Sequence, residues 1–418
     1  MNRISRVALI LCACFVSVAW AQQPAGTCTN NWTEFHRPNM ERWNPCEKVL
    51  NVKNVGSLSL KWRHKISSIL FSSSSPAVVN GVVYVGSTDE NVYALNASTG
   101  AKLWSYAAVA EVCSSPAVMN GVVYVGSDDY NVYALSASTG AKLWSFPTGY
   151  YIYSSPAVVN GVVYVGSFDH NVYALNASTG AKLWSYTTGG VVYSAPAVAN
   201  GVVYVGSEDG KMYALNAKTG VQLWSYTTGG YIDSSPAVAD GVAYVGSYDK
   251  KVYALNASTG AKLWTYTTGG VVYSSPAVAN GVVYVGSKDG KVYALNAKTG
   301  SNLWKHATAS WVYSSPAIAN GAVYVGSYDG NVYALSAKTG SKLWSYTTGK
   351  LVEPSPAVAN GVVYVGSHDH KVYALDARTG VKLWSYATGS YVDGSPVVAN
   401  GVVYVGSADG NAYAFGLK

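Results

Sequence analysis

The sequence predicts an all-β propeller, and three observations carry the prediction: a 40-residue repeat, four short strand-like runs within it, and glycine-bearing turn dipeptides between them. Proline sets the period, at Pro76, Pro116, Pro156, Pro196, Pro236, Pro276, Pro316, Pro356 and Pro396, with no insertion anywhere. In the copy at 274–304, alternating apolar and polar positions mark 276–279, 282–287 and 291–296 as strands, with a fourth opening at Leu303. Asn280-Gly281 and Asp289-Gly290 supply the positive φ of tight hairpins, so consecutive strands should pair antiparallel. So small a sheet stays wet on both faces until neighbours stack on it.

Blade number follows from counting. Tyr-Val-Gly-Ser occurs nine times, from Tyr84 to Tyr404, whereas the Leu-Trp that opens the fourth strand occurs eight times, from Trp104 to Trp384. The ninth copy reaches Lys418 before its outer strand. Residues 59–66 are expected to supply that strand from the other terminus, with Trp62 lying 14 residues before Pro76 where later copies have 12. Such a closure removes an exposed sheet edge. Nine blades is the literal count, and eight is the alternative, because propellers typically have four to eight.

Residues 294–304, ALNAKTGSNLW, resemble the Ala-x-Asp/Asn-x-x-Thr-Gly-x-x-x-Trp docking motif of the pyrroloquinoline quinone (PQQ)-like repeat family, as do all eight complete copies. The resemblance implies that Trp104, Trp144, Trp184, Trp224, Trp264, Trp304, Trp344 and Trp384 stack between blades as a structural girdle. One large aromatic per blade at fixed register is also what interblade packing needs. The family includes quinoprotein alcohol dehydrogenases and the propeller subunit of the outer-membrane β-barrel assembly machinery, so the repeat does not choose between enzyme and scaffold.

Ahead of the repeats, residues 1–21 read as a secretory signal: Arg3 and Arg6, an apolar run from Val7, and a small-x-small cleavage site at Ala19-Trp20-Ala21. A periplasmic or secreted protein is expected. No later stretch approaches the ~18 apolar residues of a membrane helix. Residues 22–58 form an extension that resembles the lead-in of PQQ-like repeat proteins, with Trp32, Phe35, Trp43, Val49 and Leu50 packing it over the propeller of 59–418 as a cap. Packing and salt bridges are the expected roles of Arg37 and Arg42. In an exported protein Cys28 and Cys46 can bridge, which leaves Cys113 as a buried thiol. The net charge of +7 falls to +5 without the two signal arginines, and the lysines recur singly around the blades. A nucleic-acid binder would gather them into a stripe, so that class is set aside.

Comparing the copies with one another locates the function. They differ chiefly in the connection from one blade's fourth strand to the next blade's first, and in the turn between second and third strands. Both lie on one face, around the mouth of the central channel. There Tyr151, Tyr231, Trp311 and Tyr391 form an aromatic register, and two residues along a second register brings Asp233, Glu353 and Asp393. Rings with a few acids suit a glycan, a peptide or a flat organic ligand. Asp289 and its copies are explained by turn chemistry, and His368-Asp369-His370 lacks a third ligand, so no metal is assigned.

The resemblance to the dehydrogenase branch would imply PQQ and calcium held by a vicinal disulfide, an arginine at the quinone and long blade insertions. This chain has no adjacent cysteines after the signal, only Arg378 within the repeats, and no insertions. The expectation is a monomeric, non-catalytic exported scaffold without a cofactor, binding an envelope protein or glycan. The alternative is a PQQ-dependent oxidoreductase using calcium.

Overall fold

In the computed structural model, residues 31–33, 42–66 and 74–418 are described. The signal segment, Cys28, Phe35 and Arg37 lie outside them. The described repeats form nine antiparallel sheets arranged as blades, which decides the count at nine rather than eight. The first blade runs Ala77–Val79, Val82–Gly86, Asn91–Asn96 and Lys102–Ala107. In the ninth, Val397–Ala399, Val402–Ser407 and Asn411–Gly416 are completed by Ser59–Lys65, antiparallel to Asn411–Gly416. The two ends of the chain therefore share one blade, as the unequal repeat counts required.

Second and third strands are buried on both faces, not alternately. Each blade is covered on both sides by its neighbours, so Val83, Val85, Val92 and Leu95 all lose solvent. The fourth strand alone keeps an alternating pattern, with Trp104 inward and Leu103 outward. Turn chemistry also differs between the two hairpins. Asn280 and Gly281 both take positive φ, 50° and 75°, which fits a type I′ turn. In Asp289-Gly290 only the glycine does, so that dipeptide closes a different turn from the one the sequence suggested.

The blades are sewn by repeated bonds. Trp184 Nε1 donates to the Ala217 carbonyl of the next blade at 2.9 Å, and the same link runs from Trp104, Trp144, Trp224, Trp264, Trp304 and Trp344. Trp62 adds a member to the expected girdle by bonding Ala97. Trp384 instead donates to Leu58 of the extension, and the neighbouring Tyr364 hydroxyl is buried without a partner among the described residues. In the other blades the matching tyrosine, such as Tyr164, reaches an alanine carbonyl, here Ala217. The seam beside the chain termini is the one that departs from the pattern.

Each recurrent turn aspartate does more than close its turn. Asp169 accepts Asn171 N–H on Oδ1, while its Oδ2 takes the Tyr173 hydroxyl at 2.6 Å and Gly149 N–H from the incoming connection. Burial pushes this carboxyl up, but those donors outweigh it and hold it below the ordinary value. Asp249, Asp289, Asp329 and Asp409 are lowered in the same way.

The extension does pack on the propeller, on the side of the Asn-Gly turns. Trp32 exchanges both backbone bonds with Val78 of the first blade, and Trp43–Asn44 pairs in parallel with Val358 and Ala359 of the eighth. Glu47 accepts Gly401 N–H from the ninth. Arg42 is fully buried, donates to the Pro356 and Pro396 carbonyls at 3.0 Å, and has its pKa lowered to about 9 by desolvation. Cys46 is disulfide-bonded.

Candidate functional site

The connection between blades is anchored by one apolar side chain. Val192 is fully buried against Gly166, where an added Cβ would stand 2.3 Å from Val192 Cγ1. Ile152, Ile232, Val272, Val312, Val352 and Val392 are buried at the same position of their own connections. With that residue turned inward, its two neighbours point elsewhere: the preceding one to the rim, the following one to the channel. The two registers seen in the sequence are the two sides of this anchor.

Below them lies a ring of small residues. Ser235 N–H donates to Ser275 Oγ, Ser275 to Ser315, Ser315 to Ser355, and Ser355 to Ser395, at 3.0–3.2 Å. Ser75 and Ser115 link in the same sense, and Ala195 interrupts the circle. Sequence reasoning missed this ring because its bonds join residues 40 apart. The Ser before eight of the nine repeat prolines was its only signal.

The structure brings Asp233, Glu353 and Asp393 to one cavity of about 430 Å³, which Tyr193, Tyr273, Tyr313 and His368 also line. A smaller cavity of about 160 Å³ continues past Tyr193 to Tyr153 and Cys113. His368 Nε2 stands 2.6 Å from Asp393 Oδ1 and 3.7 Å from Glu353 Oε2, close enough to pair charges but off the angle of a hydrogen bond. Its ring stacks on Tyr391 at 4.9 Å. Burial raises Asp233, against the opposing pull of the Tyr248 hydroxyl and the Lys288 ammonium. Glu208 is raised by burial and by Asp233.

The four aromatic candidates are not brought together. Tyr231 and Trp311 are 53% and 47% exposed, and they stand at separate points of the rim with Tyr391 and Tyr151. Each has its own neighbours: Tyr151 packs with Tyr130 and Tyr150, Tyr231 with Tyr248, Trp311 with Tyr313 and Tyr328, and Tyr391 with the two histidines. Lys288 Nζ sits over the rings of Tyr313, Trp311 and Tyr248 at 4.9, 5.6 and 5.8 Å.

Backbone conformation marks the same face. In the turn between second and third strands the left-handed position is Gly210, Gly290, Gly330 or Gly410 in four blades, but Glu90, Tyr130, His170, Lys250 and His370 in the others, at φ of 69–72°. A side chain held there costs about 1 kcal/mol that glycine avoids.

Cys113 is partly exposed rather than buried, because it belongs to the channel-facing register. Its Sγ lies 3.7 Å from Glu111 Oε2, and with Asp128 these two form a group whose ligand atoms fall within 4.8 Å of one another, close enough to hold a metal ion. Asp128 is raised by burial and by Glu111 and Asp129, while Tyr153 donates to its Oδ2 at 3.0 Å. The sequence reading named no such group, since Glu111 and Asp128 lie in different variable segments.

Comparison with known proteins places this architecture. The dehydrogenase subunit of the quinone alcohol dehydrogenase of Gluconobacter oxydans is 32% identical over 113 residues, covering 25% of this chain and 15% of that protein. The chain thus spans a small fraction of the length of the curated relatives it matches. Among solved structures, BamB from Moraxella catarrhalis superposes with a TM-score of 0.63 at 20% identity, covering 86% of this chain and 99% of its own. A europium-containing methanol dehydrogenase gives 0.69 at 16% identity, covering 94% and 99%. At such identities the likeness shows the fold alone. The family model described as outer membrane protein assembly factor BamB matches residues 51–151, 151–270, 227–347 and 268–418, and the chain belongs to that family of PQQ-like propellers.

Proposed function

We propose that this chain is an exported, non-catalytic binding scaffold whose channel mouth seats a protein or glycan of the cell envelope. The observation that carries the reading is the rim. Exposed rings of Tyr231, Trp311 and Tyr391 crown a face where five blades hold a non-glycine residue in the left-handed turn. The fold does not need those side chains, because four blades close the same turn with glycine. Exposed aromatics around a concave mouth are the usual material of binding hot spots. The family's description, an outer membrane assembly factor, is in keeping with an envelope partner and an export route. No helix among the described residues is long and apolar enough to cross a membrane.

A resident PQQ fits this mouth poorly. The quinone is a tricarboxylate, and the cavity would meet it with Asp233, Glu353 and Asp393 and with no arginine among its lining residues. Calcium alone would suit the carboxylates better than the quinone would. The oxidoreductase alternative rests on the short matches to quinone-dependent dehydrogenases.

The test is retention of envelope proteins and a glycan array, read with the mature chain and with Trp311→Ala/Tyr231→Ala. The proposal expects one species retained by the mature chain and lost at least tenfold in the double variant. Undiminished retention by the double variant overturns it.

A further inference from the structure

Resting on that reading, we propose that the 430 Å³ cavity is a receptor for a protonated amine or guanidinium group, the charged end of a basic side chain or a free organic amine. Three features converge on a cation. Carboxylates from three connections, Asp233, Glu353 and Asp393, face one cavity open to the mouth. Tyrosines 193, 273 and 313 line it between them, and an aromatic face attracts an ammonium by its quadrupole. Asp233, beside the cavity, keeps an acceptor oxygen, Oδ1, that receives no hydrogen bond among the described residues.

The molecule also shows this chemistry at work on its own wall. Lys288 ends with its ammonium over three rings, Tyr313 among them, and Lys350 lies over Tyr391 at 5.7 Å. Neither lysine lines the cavity, and His368 is its one basic lining residue. Since the carboxylates outnumber it, the cavity stays negative with the histidine charged or neutral. An acidic or quinone carboxylate ligand meets repulsion there, while a cation gains both charge pairing and ring contact.

Calorimetric titration of the mature protein separates the outcomes. The probes are N-acetyl-lysine methylamide and N-acetyl-arginine methylamide as side-chain mimics, spermidine as a free amine, calcium chloride, and N-acetyl-glutamate methylamide. The proposal expects saturable binding of the basic probes near 1 mM, the order that one or two contacts give, and none of the glutamate probe. Binding should weaken at least fivefold in Asp233→Asn/Asp393→Asn, whose fold is checked by a melting temperature no lower than that of the parent, and should weaken as salt rises. Tighter binding of spermidine than of the mimics assigns the site to a free amine, and the reverse assigns it to a partner's side chain. Failure of every basic probe, binding of calcium alone, or affinity unchanged in the double Asn variant overturns it. Because envelope retention with Trp311→Ala/Tyr231→Ala is measured separately, this inference can fall while the binding face stands.

Discussion

The seams between blades and the mouth of the channel are cut from the same 40-residue unit, yet the unit treats them oppositely. At seven seams running from Trp104 to Trp344, the tryptophan, its alanine acceptor and the clamping aspartate are the same each time. At the mouth no two neighbouring connections present the same pair of side chains. A seam residue packs against a copy of its own surroundings, so a change there must be matched twice. A mouth residue stands outside the buried anchor and the serine ring, where nothing behind it has to answer. The eighth seam shows what irregularity costs, since Leu58 must stand in for an alanine and Tyr364 finds no acceptor among the described residues.

The largest expected effect lies at a seam. Trp184→Ala should cost about 3–5 kcal/mol, the toll of truncating a buried tryptophan, and removes the bond to Ala217. Trp311→Ala, half exposed at the mouth, should move stability by less than about 0.5 kcal/mol. Urea unfolding of the two variants side by side measures the contrast, and equal costs would break it.

Charge gives a second contrast, of opposite sign in the recurrent turn aspartates and in the variable acids of the mouth. Asp169, Asp249, Asp289, Asp329 and Asp409 are depressed on folding. Their stabilisation is therefore present above the ordinary carboxylate range, near pH 4, and is lost as pH falls through their lower folded values. Asp128, Glu208 and Asp233 are raised, so they favour the fold most at low pH and oppose it increasingly as pH climbs through their folded values. Asp289→Asn should destabilise by about 1–2 kcal/mol at pH 7, as a partly satisfied acceptor does. Asp233→Asn should leave the protein as stable or more stable at pH 7 and lose that advantage below pH 4. Melting temperatures from pH 3 to 8 decide both, and a gain from Asp289→Asn would contradict the assignment.

The smallest effect is conformational. Lys250→Gly relieves the left-handed lysine at φ 69° and should stabilise by up to about 1 kcal/mol, less the flexibility glycine adds to the unfolded chain. A loss of stability in thermal unfolding would mean that this turn residue serves the fold after all.

How much of this the sequence disclosed follows the same divide. Much of what recurs every 40 residues was legible, namely nine blades, closure by the strand around Trp62 and the tryptophan girdle, but not the serine ring, whose bonds run between copies. The two registers at the mouth were visible, but not that Asp233, Glu353 and Asp393 share a cavity, because their meeting depends on ring closure across most of the chain. For His368 the sequence offered only a hairpin short of a third metal ligand, and the fold turns it toward Asp393. Cys113, left over from the pairing of Cys28 with Cys46, read as a buried thiol, whereas its place beside the anchor Val112 directs it to the channel.

The most direct measurement is a titration of the purified mature protein with PQQ in the presence of calcium, followed by absorbance and melting temperature. The scaffold reading predicts no saturable change in either at large excess. Saturable binding would stabilise the fold by RT ln(1 + [L]/Kd), about 2.7 kcal/mol at a hundredfold excess over Kd. That result would contradict the account and make the acidic mouth a quinone site.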